Sequence, residues 1–206
     1  MTNASNDILR RFISQFPSLT EEEARRIAEQ MPVREALKGT VLLSEGAIAH
    51  ECYFVLQGCV RQYRLDDGKE HTTAFFTEGQ AVVPFASYMQ KIPSAHSFSC
   101  VEDSVLIVGN PEQEQEMYSA FPSLVGITKA FTEQGFGAMQ EEFSTFISSS
   151  PEERYLHLLR TRPYLLQRVP QHQIASYLGV TPESLSRIRK RIAEANSSSN
   201  TSAKTR

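Results

Sequence analysis

Large apolar residues recur at helical spacing near both ends of the chain, and between them they gather into short runs broken by glycine and acidic turns. Ile8, Phe12, Ile13 and Phe16 share one helical face until Pro17 interrupts it. Thr20, with Glu23 after it, forms a capping box, so the helical region over 7–31 contains a second start. From Val33 to Val108 the pattern shortens. VLL (41–43), CYFVLQ (52–57), CVRQYRL (59–65), EHTTAFF (70–76) and SVLIV (104–108) are rich in β-branched and aromatic residues. Ser44-Glu45-Gly46, Gly58, Asp66-Asp67-Gly68, Glu78-Gly79 and Glu102-Asp103 separate them as turns. Short strands at this regular spacing predict an antiparallel β-barrel or jelly roll.

Helical spacing then returns. Asn110-Pro111-Glu112-Gln113 caps a short helix that breaks near Phe121-Pro122. A longer helix is predicted from about Leu124 to Ile147, with Phe131, Phe136, Met139, Phe143 and Phe146 as its large apolar positions. Such a helix could pack on the barrel, on a twin chain, or on both. Gly135, Gly137 and Ala138 permit close approach at its middle. Ser148-Ser149-Ser150 is the expected hinge, and Ser150-Pro151-Glu152-Glu153 caps the next helix. The predicted class is α+β, with a barrel domain and long helix over 1–147 and an all-helical domain over 148–192. The tail over 193–206 has no core-forming residues and is expected to be disordered.

The helical domain centres on QHQIASYLGVTPESLSRIRKRI, Gln171 to Ile192. Ile174, Ala175 and Leu178 share a face, and Gly179 suits a left-handed turn. Thr181 is the N-cap of a second helix, Pro182 takes its first position, and Leu185, Ile188 and Ile192 supply its inward stripe. This is the helix-turn-helix pattern. Its outward face carries Pro182, Glu183, Ser186, Arg187 and Lys190, flanked by Arg189 and Arg191. In a DNA major groove, Arg187 can bond guanine O6 and N7 together, and Glu183 can accept from the amino group of cytosine. Thr181, Ser184, Ser186, Lys190, Arg191 and, on the first helix, Gln171 complete the candidate DNA contacts, several of them to phosphate. A solvated, salt-bridged helix is the plainer alternative; the turn, cap and matched stripes together favour DNA.

Charge sharpens this picture. The net charge of −3 hides 11 Lys+Arg against 20 Asp+Glu in residues 1–150, a balance of −9, and 10 against 4 in residues 151–206, a balance of +6. An acidic body with a basic C-terminal quarter fits one part that avoids DNA and one that seeks it. Cys52, Cys59 and Cys100 form no CxxC pair and leave one over, so a disulfide framework is not expected and a reducing cytoplasm is the expected location. Three thiols are also too few for the usual iron–sulfur cluster. The start, MTNASNDILRR, has no apolar signal core, and no run is long enough to span a membrane. His50, His71, His96, His157 and His172 are scattered singly, without the His-x-His of a cupin metal site. Nothing marks a haem attachment, a phosphate loop or a Ser-His-Asp nucleophile, so neither enzyme activity nor a cofactor is predicted.

Gly39-Thr-Val-Leu-Leu-Ser-Glu-Gly46, followed by Tyr53-Phe-Val-Leu-Gln-Gly58-Cys-Val-Arg61, resembles the cyclic-nucleotide-binding barrel of the Crp/Fnr transcriptional regulators. ERYLHLL through RVPQHQIASYLGVTPESLSRIRK resembles that family's DNA-binding domain. The resemblance implies a homodimer joined along the long helix, an effector-sensing barrel, and recognition helices in successive major grooves. Glu183 and Arg187 match its base-contacting positions. Two departures stand out: Pro182 replaces a residue that is basic in many relatives, and little follows Ile192 to build a β-hairpin wing. In the family's nucleotide segment a Gly-Glu and a later Arg-Ser/Thr-Ala hold the ribose and the cyclic phosphate. Here the first reads Gly79-Gln80, the second falls in Ser94, His96 and Ser97, and no arginine lies between Arg64 and Arg154. Cyclic AMP binding is therefore not expected, and the effector stays unidentified. Double-stranded DNA, a second copy of the chain, a small-molecule effector and RNA polymerase are the candidate partners. The rival assignment is a ligand- or protein-binding barrel dimer without sequence-specific DNA binding.

Overall fold

Strands buried on both faces organise the first part of the chain. In this computed structural model, which describes residues 3–203 and the side chains of 4–195, eight strands form two antiparallel sheets. The strands are β1 (Val33–Ala36), β2 (Val41–Leu43), β3 (Cys52–Gln57), β4 (Val60–Asp66), β5 (Lys69–Phe76), β6 (Ala81–Val82), β7 (Ser97–Cys100) and β8 (Ser104–Gly109). Their order is β1-β8-β3-β6 in one sheet and β2-β7-β4-β5 in the other, which gives the expected jelly-roll architecture. Tyr53 and Val55 of β3 point between the sheets with Leu106 and Val108 of β8, meeting Val60, Phe98 and Cys100 of the opposite sheet. Each fully buried side chain of that size stabilises the sandwich by about 1.5–3 kcal/mol. Gly58, at φ +109°, turns β3 into β4, and a Cβ there would meet Ser104 Oγ at 2.2 Å, so no other residue fits.

Phe54 and Leu56 of β3, with Val105 and Ile107 of β8, point outward into a second core. It is closed by α1 (Asn3–Ile13), α2 (Glu21–Gln30), α4 (Pro111–Ala120) and the start of α5 (Ser123–Ser148). Two-sided burial explains why CYFVLQ and SVLIV read as continuous apolar runs without alternation. Thr20 caps α2 in a full capping box with Glu23, and Asn110 caps α4 by accepting from Gln113 N–H at 2.9 Å. A short helix, α3 (Phe85–Gln90), follows Pro84.

The helices α6 (Pro151–Thr161), α7 (Leu165–Arg168), α8 (Gln171–Tyr177) and α9 (Pro182–Ala203) complete the chain. Two compact units result, Met1–Glu142 and Phe143–Arg206. The division falls inside α5, earlier than the expected 147/148, because Phe146 on its last turns stacks against Arg154 of α6 with the guanidinium 3.9 Å from the ring centroid. α9 also differs from expectation. It continues as helix past Ile192 to Ala203 instead of ending in a disordered tail, while residues 204–206 lie outside those described. Among the described residues, no helix is long and apolar enough to cross a membrane.

Candidate nucleic-acid interface and effector region

In the C-terminal unit, Ile174 and Ala175 of α8 and Leu178 at its C-cap are buried together with Leu185 and Ile188 of α9. Helical periodicity then forces Glu183, Ser186, Arg187 and Lys190 outward, and all are exposed. Gly179 carries the turn at φ +71°, and Val180 N–H bonds Ala175 O at 3.0 Å. Thr181 is the N-cap: its Oγ1 accepts from Ser184 N–H at 3.2 Å, and its hydroxyl lies 3.2 Å from that of Ser184. Those two hydroxyls therefore serve the cap first. Glu183 is held below the usual carboxylate range, first by a bond from its own backbone N–H, then by Thr181 and the nearby Arg187 charge. Lys190 pairs with Glu194 at 3.8 Å. Arg191 forms an ion pair with Glu152 of α6, which gives it a tie inside the unit besides any outward role. Gln171 is exposed at the first position of α8.

One residue escaped the sequence pattern. Arg154 donates from Nε to Ser149 O at 3.1 Å and from Nη1 to Leu178 O at 2.9 Å, while its guanidinium covers Phe146. It fastens the end of α5, the cap of α6 and the turn ahead of α9 to one another. Ser149 is thereby pinned, so the serine run is not a free joint. The cap itself is a full box: Ser150 accepts from Glu153 N–H at 3.3 Å, and Glu153 accepts from Ser150 N–H at 2.7 Å.

In the N-terminal unit Gln80, Ser94 and Ser97 already make hydrogen bonds within the fold. Gly79 turns β5 into β6 at φ +82°. Gln80 Oε1 accepts from Thr77 N–H at 2.8 Å, so its acceptor is engaged in that turn. Ser94 donates to His96 O at 2.7 Å and accepts from His96 N–H at 3.2 Å. Ser97 Oγ accepts from Glu45 N–H at 2.8 Å. Burial pulls the His96 imidazole below its ordinary range; Arg64 adds to this and Glu45 opposes it. Gly79 and Gln80 lead into the β6 sheet edge, whereas Ser97 opens β7 of the other sheet. The barrel does contain a buried arginine that the nucleotide-segment pattern did not point to: Arg61 on β4, only 3% exposed. Its guanidinium pairs with Glu70 and lies 4.1 Å from the Tyr63 ring, while its buried Nε has no hydrogen-bond partner. Among the described residues, no group of three or more His, Cys, Asp or Glu is arranged to hold a metal.

Residues 33–120 match the cyclic nucleotide-binding domain family. Among solved structures, the c-di-GMP-responsive global regulator CLP of Xanthomonas campestris superposes with a TM-score of 0.65 at 20% identity, covering 84% of this chain and 91% of that one. FixK2 of Bradyrhizobium japonicum gives 0.64 at 18% identity, covering 81% and 86%. The catabolite activator protein of Thermus thermophilus gives 0.50 at 22% identity, covering 88% and 87%. A comparison with curated proteins returns no significant match. Residues 33–120 thus match the cyclic nucleotide-binding domain family, and the chain shares the Crp/Fnr fold of these structures.

Proposed function

We propose that the protein is a homodimeric, Crp/Fnr-like DNA-binding transcriptional regulator whose barrel does not respond to cyclic AMP. The observation that carries this is the exposed face of α9, where Glu183, Ser186, Arg187 and Lys190 project from a helix held by buried Leu185 and Ile188 behind a left-handed glycine turn. A helix so presented fits the major groove, its arginine suited to guanine and its lysine to phosphate. Arg154 supports the role, because it ties the turn before α9 to the last turns of α5. Pairing of two chains along α5 is supported by its exposed Val125, Phe136, Met139, Phe143 and Ile147, an apolar stripe that water does not favour. Such a dimer reads two half-sites about 34 Å apart, one helical turn of DNA. RNA polymerase and a small-molecule effector are further partners of this reading, which the c-di-GMP-responsive global regulator CLP among the similar structures supports.

Affinity for random duplex DNA at two salt concentrations tests it. Binding is expected to fall steeply as salt rises, because each phosphate contact releases a counterion. Selection from a random duplex pool is then expected to return a two-fold-symmetric site. Absence of DNA binding at low salt, with the protein folded, would leave a ligand- or protein-binding barrel dimer instead.

A further inference from the structure

We infer that the helix-covered outer face of the β1-β8-β3-β6 sheet holds a ligand site distinct from the barrel interior, and that it takes a small apolar molecule ending in a protonated amine. A cavity of about 320 Å³ opens there between β3, β8 and the helices α1, α3, α4 and α5. That volume lies within the range of small-molecule sites. Phe54 forms its floor, with the rings of Phe12 and Phe131 each 5.0 Å away by centroid, and Met117 and Ile127 line the wall. The barrel interior, by contrast, is filled by its own apolar side chains.

Polar groups converge at one corner of the cavity. Cys52 Sγ lies 3.1 Å and Tyr88 Oη 3.4 Å from the same oxygen, Oε1 of Glu114. Burial, with Glu114 adding to it, pushes the Cys52 thiol up to about 12; burial and then Cys52 push the Tyr88 phenol up as well. Both keep their protons and spend them on Oε1. Both hydrogen bonds to the Glu114 carboxylate among the described residues go to Oε1, which leaves its second oxygen without one, and Glu114 lines the cavity. Gly109 leaves the corner its room: a Cβ there would sit 3.2 Å from both Cys52 Sγ and Glu114 Oε1. A half-buried carboxylate with a free oxygen at the end of an aromatic cleft selects a cationic donor and repels carboxylates and phosphates. The cavity's positions on α5 are Leu124, Ile127, Thr128, Phe131 and Thr132, and the last of these shares a helical face with the exposed Val125, Phe136 and Phe143, so the cavity borders that stripe.

Titration calorimetry on the full chain tests this with 4-phenylbutylamine, and with 4-phenylbutanol and 4-phenylbutanoate as matched controls. The amine is expected to bind saturably and at least about ten-fold more tightly than the carboxylate. Glu114→Gln is expected to weaken the amine about ten-fold while leaving the alcohol within about three-fold. Ile127→Phe, which fills the cleft, is expected to remove binding of all three; Met117→Phe serves the same end should that variant not fold. No saturable binding of the amine at millimolar concentration, equal binding of the carboxylate, or an amine affinity indifferent to Glu114→Gln would each overturn the inference. DNA affinity measured on the same preparation is independent of these outcomes, so loss of one function does not read as loss of the other.

Discussion

Arg187 and Lys190 carry the same charge one turn apart on α9, yet they are suited to different work. A guanidinium can grip the two acceptors of guanine at once, whereas an ammonium is a point charge for phosphate. Arg187→Ala is expected to cost about 1–3 kcal/mol and to relax preference at one base pair per half-site. Lys190→Ala is expected to weaken all sequences alike and to flatten the salt dependence. Affinities for the selected site and for single-base variants of it tell the two apart; a uniform loss from Arg187→Ala would make that residue a phosphate contact. The outward placement of these side chains was legible because Leu185 and Ile188 set the helix phase. Arg154 was not legible, since its acceptor at Leu178 lies 24 residues on and only the folded turn brings the two together. Gly179 joins the same contact. Gly179→Ala would put a Cβ 3.1 Å from Arg154 Nη1 and 3.5 Å from Phe146, in a left-handed conformation that itself costs about 1–2 kcal/mol. Denaturant unfolding is expected to show a loss of at least that size, and an unchanged midpoint would mean the turn rearranges without strain.

Among the elements, those with local punctuation were readable. The boxes at Thr20 and Ser150 and the cap at Asn110 start helices where the sequence places them, because each motif satisfies backbone donors within one turn. β3, β4, β5 and β8 also fall where their branched and aromatic runs lie. β1 carries two charged residues in four, β6 spans two residues and β7 is SFSC; their pairing comes from neighbouring strands, which no local pattern records. β1 gains something else from its partners. Arg34 donates from Nη1 and Nη2 to the two oxygens of Glu51, each at 2.7 Å, and Tyr53 O–H donates to Glu51 Oε2 at 2.7 Å. The Arg34 bonds hold the Glu51 carboxyl below its ordinary range, against a smaller opposing effect of burial. A carboxylate depressed on folding stabilises above its unfolded pKa, and that contribution is lost as pH falls through the folded value. Glu51→Gln is therefore expected to destabilise by about 1 kcal/mol near pH 7, reduced by solvent screening, and the gap to the parent should close at a pH well below the ordinary carboxylate range. Urea unfolding at the two pH values checks it; a gap that stays constant would assign the cost to packing.

At the scale of the whole molecule, a stretch that matches the cyclic nucleotide-binding domain family need not bind cyclic nucleotides, and this one is predicted not to bind cyclic AMP. A buried cyclic phosphate needs a positive partner, and its ribose needs a free acceptor. The acceptor that the sequence offered, Gln80, is taken by Thr77. The hydroxyls of Ser94 and Ser97 bond His96 and Glu45 backbone groups, and His96 is shifted toward its neutral form by burial. Arg61 is the arginine buried in this unit's strands, and Glu70 already neutralises it. Freeing it would break a pair whose arginine is out of water but whose glutamate is half exposed, a cost to the ligand that solvent screening reduces. The interior between the sheets is meanwhile closed by Tyr53, Val55, Phe98 and Leu106. Micromolar affinity corresponds to about 8 kcal/mol, and losing the phosphate's partner removes a large share of it. Calorimetric titration with cyclic AMP and cyclic GMP is expected to give no saturable heat at micromolar concentration. Saturable binding of either would overturn this prediction; if Arg61 then supplied the charge, Glu70→Gln would tighten binding, whereas without nucleotide binding the same substitution would only destabilise the fold.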